Sequence, residues 1–243
     1  MAQKFLFTGG NGNLCSELKK LDLKSYIFLN KNELDITDYS NVEEIFLNTD
    51  FDILVHTAAL TRPMIIHDKN PVKSIDTNII GTSNIVKACS EKQIKLIYFS
   101  TNYVYPGKKG NYSEKDSLCP VNNYAWSKLG GESAVHLYQN SLILRVCMTE
   151  KPFVHKGAFA NVKNNFIYQE QVADILFKLL DEKGVINIGG KSQYIYDFAK
   201  KDKKDVKKVY LKKGLDIGVP FDSSMNISKL KRIVKKYDKS KKK

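Results

Sequence analysis

Cysteine is scarce in this chain and poorly spaced for chemistry. Cys15, Cys89, Cys119 and Cys147 stand far apart, which fits neither a Cys-x-x-Cys metal knuckle nor a compact disulfide framework. Histidine is as sparse, and His56, His67, His136 and His155 show no ligand spacing, so no metal site is expected. No apolar stretch approaches the length that spans a bilayer, and Phe5-Leu-Phe7 is too short a run for a signal peptide. The expectation is a reducing, cytoplasmic setting with no membrane partner. Negative charge is short only at one end. Residues 200–243 carry 17 Lys/Arg against 5 Asp/Glu, whereas the first 199 carry 22 against 21. The positive excess therefore belongs to the C-terminus, where residues 231–243 are expected to form a basic tail, solvated and frayed over Lys235–Lys243. Without aromatic interleaving or a nucleic-acid motif, the balance is against a nucleic-acid partner.

What is present is ample for a packed core: 243 residues, 42% hydrophobic and 11% aromatic, enough for one large domain or one with a small lobe. Lys4–Phe7, Tyr26–Leu29, Asp52–His56, Lys95–Ser100 and Ser141–Arg145 read as short strands. Leu14–Leu21, Val42–Asn48, Ile79–Glu91 and Tyr124–Tyr138 place apolar residues at helical spacing. The alternating order predicts an α/β fold, a doubly wound parallel sheet covered by helices, with ligands at the strand C-terminal ends. Beyond Arg145 the pattern weakens to a helix near Gln171–Leu180 and a strand with its turn at Gly184–Gly190. The division expected is a dinucleotide-binding core over 1–145, a small, partly interleaved lobe over 146–230, and the basic tail.

The first strand runs into Thr8-Gly-Gly-Asn-Gly-Asn-Leu-Cys15 and then into a helix-like segment, the setting of the dinucleotide-binding turn of a Rossmann fold. Gly9 permits the tight turn, Gly12 lets backbone approach a pyrophosphate, and helix N–H groups receive its charge. Cys15 stands where a third glycine would allow close helix–strand packing. Gly9, Asn11, Gly12, Asn13 and Leu14 are the expected cofactor contacts of this turn. After the second strand Asn30 and Lys31 replace the acidic residue that would select NAD. Lys31 facing a 2′-phosphate favours NADPH, with NADH still admissible. Asp35 and Ile36 are expected at the adenine edge, and Thr57, Ala58 and Ala59 end the third strand in residues small enough for a cofactor to lie close.

Tyr124 and Lys128 lie four residues apart on a predicted helix and so share a face. A tyrosine cannot exchange protons efficiently at neutral pH, and a neighbouring ammonium favours its phenolate, so the pair is suited to general acid and base work on a carbonyl.

Thr8-Gly-Gly-Asn-Gly12, Leu34-Asp-Ile-Thr-Asp38, Thr57-Ala-Ala59, Asn78-Ile-Ile-Gly81, Phe99-Ser-Thr-Asn-Tyr-Val-Tyr105 and Tyr124-x-x-x-Lys128 occur in the order seen in extended short-chain dehydrogenases/reductases. The chain most resembles their dTDP-4-dehydrorhamnose reductase branch through Ser100-Thr-Asn-Tyr-Val104, Tyr112-Ser-Glu114 and Tyr124-Ala-Trp-Ser-Lys-Leu-Gly-Gly-Glu132. The resemblance is good from residue 4 to about 145, then thins to Asp222–Leu230, so the C-terminal substrate lobe reads as shortened. It implies that Thr101 hydrogen-bonds the substrate oxygen, Tyr124 supplies the proton, and Lys128 depresses the tyrosine pKa and holds the nicotinamide ribose. Asn78 joins the implied cofactor contacts. Asn102, Tyr103 and Tyr105 join Thr101 as candidate substrate contacts, the two tyrosines reading equally well as packed aromatics.

The implied activity is NAD(P)H-dependent reduction of the 4-keto group of a nucleotide-linked 4-keto-6-deoxy sugar. Asn102 and Tyr103 stand where related dehydratases carry an Asp-Glu pair, which disfavours water elimination. Three alternatives stay open: a non-catalytic NADP-binding regulatory subunit, a sugar-nucleotide epimerase, and a bifunctional epimerase-reductase. The oligomeric state is also open, a homodimer included.

Overall fold

The computed structural model describes residues 3–21, 25–212 and 218–241. Strand β1 (Phe5–Thr8) leads to helix α1 (Asn13–Lys19), β2 (Tyr26–Leu29), α2 (Tyr39–Asn48) and β3 (Ile53–His56). Two short helices, α3 (Ile66–Lys69) and α4 (Pro71–Ser74), run through a π-helical turn at Ile75–Ile80 into α5 (Gly81–Glu91). Then come β4 (Lys95–Thr101), a 3₁₀ turn at Asn102–Val104, α6 (Asn123–His136) and β5 (Ser141–Val146). The later chain holds β6 (Met148–Thr149), β7 (Gly157–Phe159), β8 (Lys163–Asn164), β9 (Ile167–Tyr168), α7 (Gln169–Leu176) and β10 (Gly184–Ile188). It finishes with β11 (Gln193–Tyr194), α8 (Ile195–Ala199), β12 (Lys207–Val209) and α9 (Ser228–Ser240).

The central sheet has the order β10-β5-β4-β3-β1-β2. Strand β1 lies parallel to both β2 and β3, with Thr8 opposite Leu29 on one side and His56 on the other, and β3 lies parallel to β4. Strand order reverses between β1 and β3, and in an open α/β sheet ligands bind beyond the strand C-termini at such a reversal. The residues that leave those two strand ends are the glycine turn after Thr8 and Thr57-Ala-Ala59 after His56.

Two compact units emerge. The first comprises residues 1–100, 123–144 and 182–185, the second 101–122, 145–181 and 186–243. The second unit thus takes in residues 101–122, which the sequence reading had placed in the core. In the first unit the sheet packs on helices through Leu6, Val42, Phe46, Leu54, Ile85, Leu96, Val135 and Ile143. Burying a side chain of this size contributes roughly 1.5–3 kcal/mol each. The second unit has its own small core of Phe153, Ala158, Val162, Ile195, Phe198, Val206 and Leu211. Three two-stranded pairings, β6 with β9, β7 with β12 and β8 with β11, frame it. Strands this short carry too little alternation to register in the sequence.

The expected frayed tail is corrected. Residues 228–240 form α9, with Leu230 and Ile233 buried one turn apart, and Lys178 donates to Asp238 at 2.7 Å. Lysine is a good helix former, and an apolar stripe runs through the charge. Positions 242–243 of the expected tail lie outside the described residues. No described helix is long and apolar enough to cross a membrane.

Candidate active site

The glycine turn is shaped by backbone demands. Gly9 has φ +66°, and a Cβ there would fall 2.8 Å from Ala58 Cα, so only glycine serves without strain. Gly12 donates its N–H to Gly9 O at 2.8 Å and heads α1 with no side-chain cap. Gly10 is spent elsewhere: a Cβ would lie 2.9 Å from the Phe28 carbonyl carbon, so this glycine lets the turn press against β2. Asn11 and Asn13 are exposed, while Leu14 is buried beneath them. Beside the turn, Thr57, Ala58 and Ala59 are half-buried. Their short side chains, with Gly9 and Gly12, leave a smooth cradle that fits the close backbone approach of a dinucleotide pyrophosphate.

Cys15 is fully buried beneath the turn. Its Sγ lies 3.2 Å from Thr57 Oγ1, and Thr57 Oγ1 donates to Thr8 O at 2.6 Å. Burial pushes the thiol pKa up, so it packs as a small apolar group in the place of the missing glycine. His56 is equally structural, bonded through Nδ1 to Thr8 Oγ1 at 2.8 Å and through Nε2 to Thr82 Oγ1 at 3.1 Å. Burial, aided by the Lys128 charge, lowers its pKa to about 3, which keeps it neutral.

At the expected 2′-phosphate position, Lys31 is exposed and lies 3.8 Å from Asp35 Oδ2. Burial pushes the Asp35 carboxyl up, but hydrogen bonds from Thr37 and the Lys31 charge outweigh it and hold the carboxyl below the usual range. Asp38 and Glu44 border the same depression. Lys31 therefore stands among acidic neighbours. Ile36 is buried against Gly81.

Helix α6 carries Tyr124 and Lys128 in the same unit as the glycine turn. A Cβ on Gly131 would fall 2.4 Å from Asn78 O and 2.9 Å from the Tyr98 hydroxyl, so glycine here lets α6 settle close to the π-helical turn and β4. Lys128 is buried with its Nζ 4.2 Å from the Tyr98 ring centre, and Tyr98 OH donates to the Lys128 carbonyl at 2.9 Å. Burial lowers the ammonium from the ordinary 10.5 to about 7, against an upward pull from the Glu132 charge. Tyr124 is half-buried, its ring 5.2 Å from that of His67.

The ring of His67 is fixed by Ser74, whose Oγ lies 2.7 Å from Nδ1. Asn123 donates to Asp68 at 2.7 Å, tying α3 to the first turn of α6. Neither His67 nor Asp68 was singled out from the sequence, because their contact with α6 joins segments 55 residues apart. Lys19 was also missed. Its Nζ donates to Gly10 O at 2.7 Å and steadies the turn.

Asn78, an expected cofactor contact, is held within the fold. It is fully buried, with Oδ1 accepting from Leu60 N at 2.8 Å and Nδ2 donating to Leu60 O and Ser127 Oγ. Ser127 Oγ in turn donates to the Tyr124 carbonyl at 2.7 Å. Asn78 thus clamps the loop after β3 to the turn that presents Tyr124, from a π-helical turn of the kind that recurs at functional sites.

Thr101, Asn102, Tyr103 and Tyr105 belong to the second unit. Thr101 closes β4, and its Oγ1 accepts from Tyr103 N at 3.3 Å, leaving the hydroxyl proton for another acceptor. Asn102 is turned inward, donating to Asn164 Oδ1 at 3.1 Å and Ser223 Oγ at 3.0 Å. Tyr105 is also a packed core aromatic, stacked on Tyr112 at 5.0 Å and 7°, its hydroxyl shared by Arg145 and Asn187 at 2.8 Å each. Burial and internal hydrogen bonds occupy both side chains. Tyr103 remains half-buried.

A parallel sheet with flanking helices, a glycine cradle at its switch point and a Tyr-Lys pair on the adjoining helix define a Rossmann-type protein of the short-chain dehydrogenase/reductase kind. The RmlD substrate binding domain family model matches residues 3–166. The chain belongs to that family. It is 33% identical over 117 residues to the probable low-salt glycan biosynthesis reductase Agl14 of Haloferax volcanii, covering 47% of this chain and 39% of that protein. It is 31% identical over 140 residues to a dTDP-4-dehydrorhamnose reductase of Mycolicibacterium smegmatis, covering 56% and 42%. The chain thus spans about two-fifths of the length of these curated relatives. Among solved structures, a hypothetical dTDP-4-dehydrorhamnose reductase from Sulfolobus tokodaii superposes with a TM-score of 0.84 at 27% identity, over 95% of this chain and 94% of that one.

Proposed function

We propose that this protein reduces the 4-keto group of a nucleotide-linked 4-keto-6-deoxy sugar with NADPH, in deoxysugar biosynthesis. The observation that carries this reading is the burial of Lys128 one helical turn from Tyr124, in the unit that also holds the Gly9–Gly12 cradle. A lysine is hidden at such electrostatic cost chiefly where its charge has work to do. The reductases named among its relatives supply the substrate class.

Bound in the cradle, NADPH supplies the hydride. Tyr124 donates its phenolic proton to the carbonyl oxygen, so the oxygen becomes a hydroxyl, still bonded to the carbon that gains the hydride. Lys128 favours the resulting phenolate and holds the nicotinamide ribose. Thr101 uses its hydroxyl proton to hold the substrate oxygen. Cys15 takes no part, because its thiol is packed against Thr57. A reducing, cytoplasmic setting suits the four free cysteines.

The test follows NADPH oxidation with dTDP- and UDP-linked 4-keto-6-deoxy sugars, comparing wild type with Tyr124→Phe and measuring cofactor binding in parallel. Oxidation that depends on Tyr124 is expected. Cofactor binding with no turnover of either sugar nucleotide would overturn the proposal in favour of a non-catalytic, nucleotide-binding role.

A further inference from the structure

Tyr124, Lys128, Glu132 and His136 follow one another at four-residue spacing along α6, so they form one stripe on one face of the helix. The reductase reading uses only the first two. Glu132 is wholly buried and Lys128 nearly so, placing a carboxyl group and an amine one helical turn apart, both away from water. The carboxylate is not loose. Ser100 on β4 donates a hydrogen bond to Glu132 Oε2, and His136 Nε2 stands 3.5 Å from Oε1 at the exposed end of the stripe.

Among the described residues, the other groups about Lys128 give it no negative partner. Tyr98 on β4 presents its ring face, and its buried hydroxyl is pushed to a high pKa, chiefly by desolvation. His56 on β3 is neutral, and Tyr124 is a phenol. A buried ammonium without a compensating charge loses its proton, and a neutral amine cannot favour the Tyr124 phenolate.

We propose that Glu132 is a positioning residue of the site, a buried counter-charge, anchored by Ser100, that keeps Lys128 protonated and thereby keeps Tyr124 reactive at neutral pH. The inference rests on the reductase reading for its purpose, but the coupling between Glu132 and Lys128 stands apart from any substrate.

The experiment uses the full, cofactor-free chain with carbon-13 at the lysine Cε and glutamate carboxyl positions, following the Lys128 and Glu132 signals by NMR across pH. In Glu132→Gln, which keeps the shape and the Ser100 contact, the Lys128 midpoint should fall by about one unit or more. Glu132→Asp should restore part of that fall. An unchanged midpoint in Glu132→Gln would show that the carboxylate only anchors the helix, and would overturn the proposal. So would a wild-type Glu132 found protonated at neutral pH, a result that requires no variant to fold. Because the readout needs neither NADPH nor sugar, failure of the reductase reading would leave this result untouched. If both hold, the pH profile of NADPH oxidation shifts in Glu132→Gln in the same direction as the Lys128 midpoint.

Discussion

Replacing Lys128 with methionine should stabilise the protein while abolishing its activity, by an amount that depends on pH. The lysine titrates near its ordinary 10.5 in the unfolded chain and at about 7 in the folded one. Between those values the unfolded chain binds more protons, so wild-type stability rises with pH through that window. At 1.36 kcal/mol per unit, the burial penalty is about 4 to 5 kcal/mol at and below neutrality, and only about 2 kcal/mol near pH 9. Methionine fills a similar volume without a charge. Urea unfolding of wild type and Lys128→Met at pH 6, 7 and 9 should show the largest gain at pH 6 and 7, reduced by roughly half at pH 9. A difference between the two proteins that is constant across pH would refute the reasoning, since it would mean that Lys128 keeps its proton in the fold as easily as in water. A destabilised variant at pH 7 would refute it as well.

Other outcomes follow from the geometry. Tyr124→Phe should lower turnover about 100-fold or more while sparing NADPH affinity and unfolding midpoint, because only the proton donor is lost; retained turnover in the oxidation assay would reject its role. Lys31→Ala should weaken NADPH more than NADH, and Asp35→Asn should do the reverse by removing the carboxylate 3.8 Å from Lys31; calorimetric titration with both cofactors distinguishes these, and equal effects on the two would dismiss a 2′-phosphate contact. Leu230→Ala should cost about 2–5 kcal/mol in chemical unfolding, as for other buried leucines, whereas Lys239→Ala, exposed on the same helix, should change the unfolding midpoint little. Comparable losses from both would contradict the packing of α9.

The residues that make the dinucleotide site legible are those whose chemistry is local. Gly9 and Gly12 sit within one turn between a strand and a helix, and their meaning follows from backbone geometry over four residues. Tyr124 and Lys128 are brought together by helical periodicity alone. The five leading strands declare themselves through short apolar runs, and their alternation with helices is enough to indicate a parallel sheet. The resemblance of six ordered motifs to extended short-chain dehydrogenases/reductases is likewise written along the chain, and the family match bears it out.

What escaped the sequence depends on distance in the chain. Asn78 gives no sign in the sequence of its partners Leu60 and Ser127, 18 and 49 residues away, which take up its amide. The hydrogen bonds of Asn102 and Tyr105 to Asn164, Ser223, Arg145 and Asn187 are equally invisible along the chain. The lysines at the C-terminus suggest a tail because charge was counted over the segment, and the burial of Leu230 and Ile233 depends on a surface elsewhere in the second unit. By itself, then, the sequence determined the fold class, the cradle and the Tyr-Lys pair, each a matter of spacing along the backbone. Only the tertiary structure decided which polar side chains remain available to a ligand and which charges are stripped of water, because hydrogen-bond satisfaction and desolvation are set by what packs around a group.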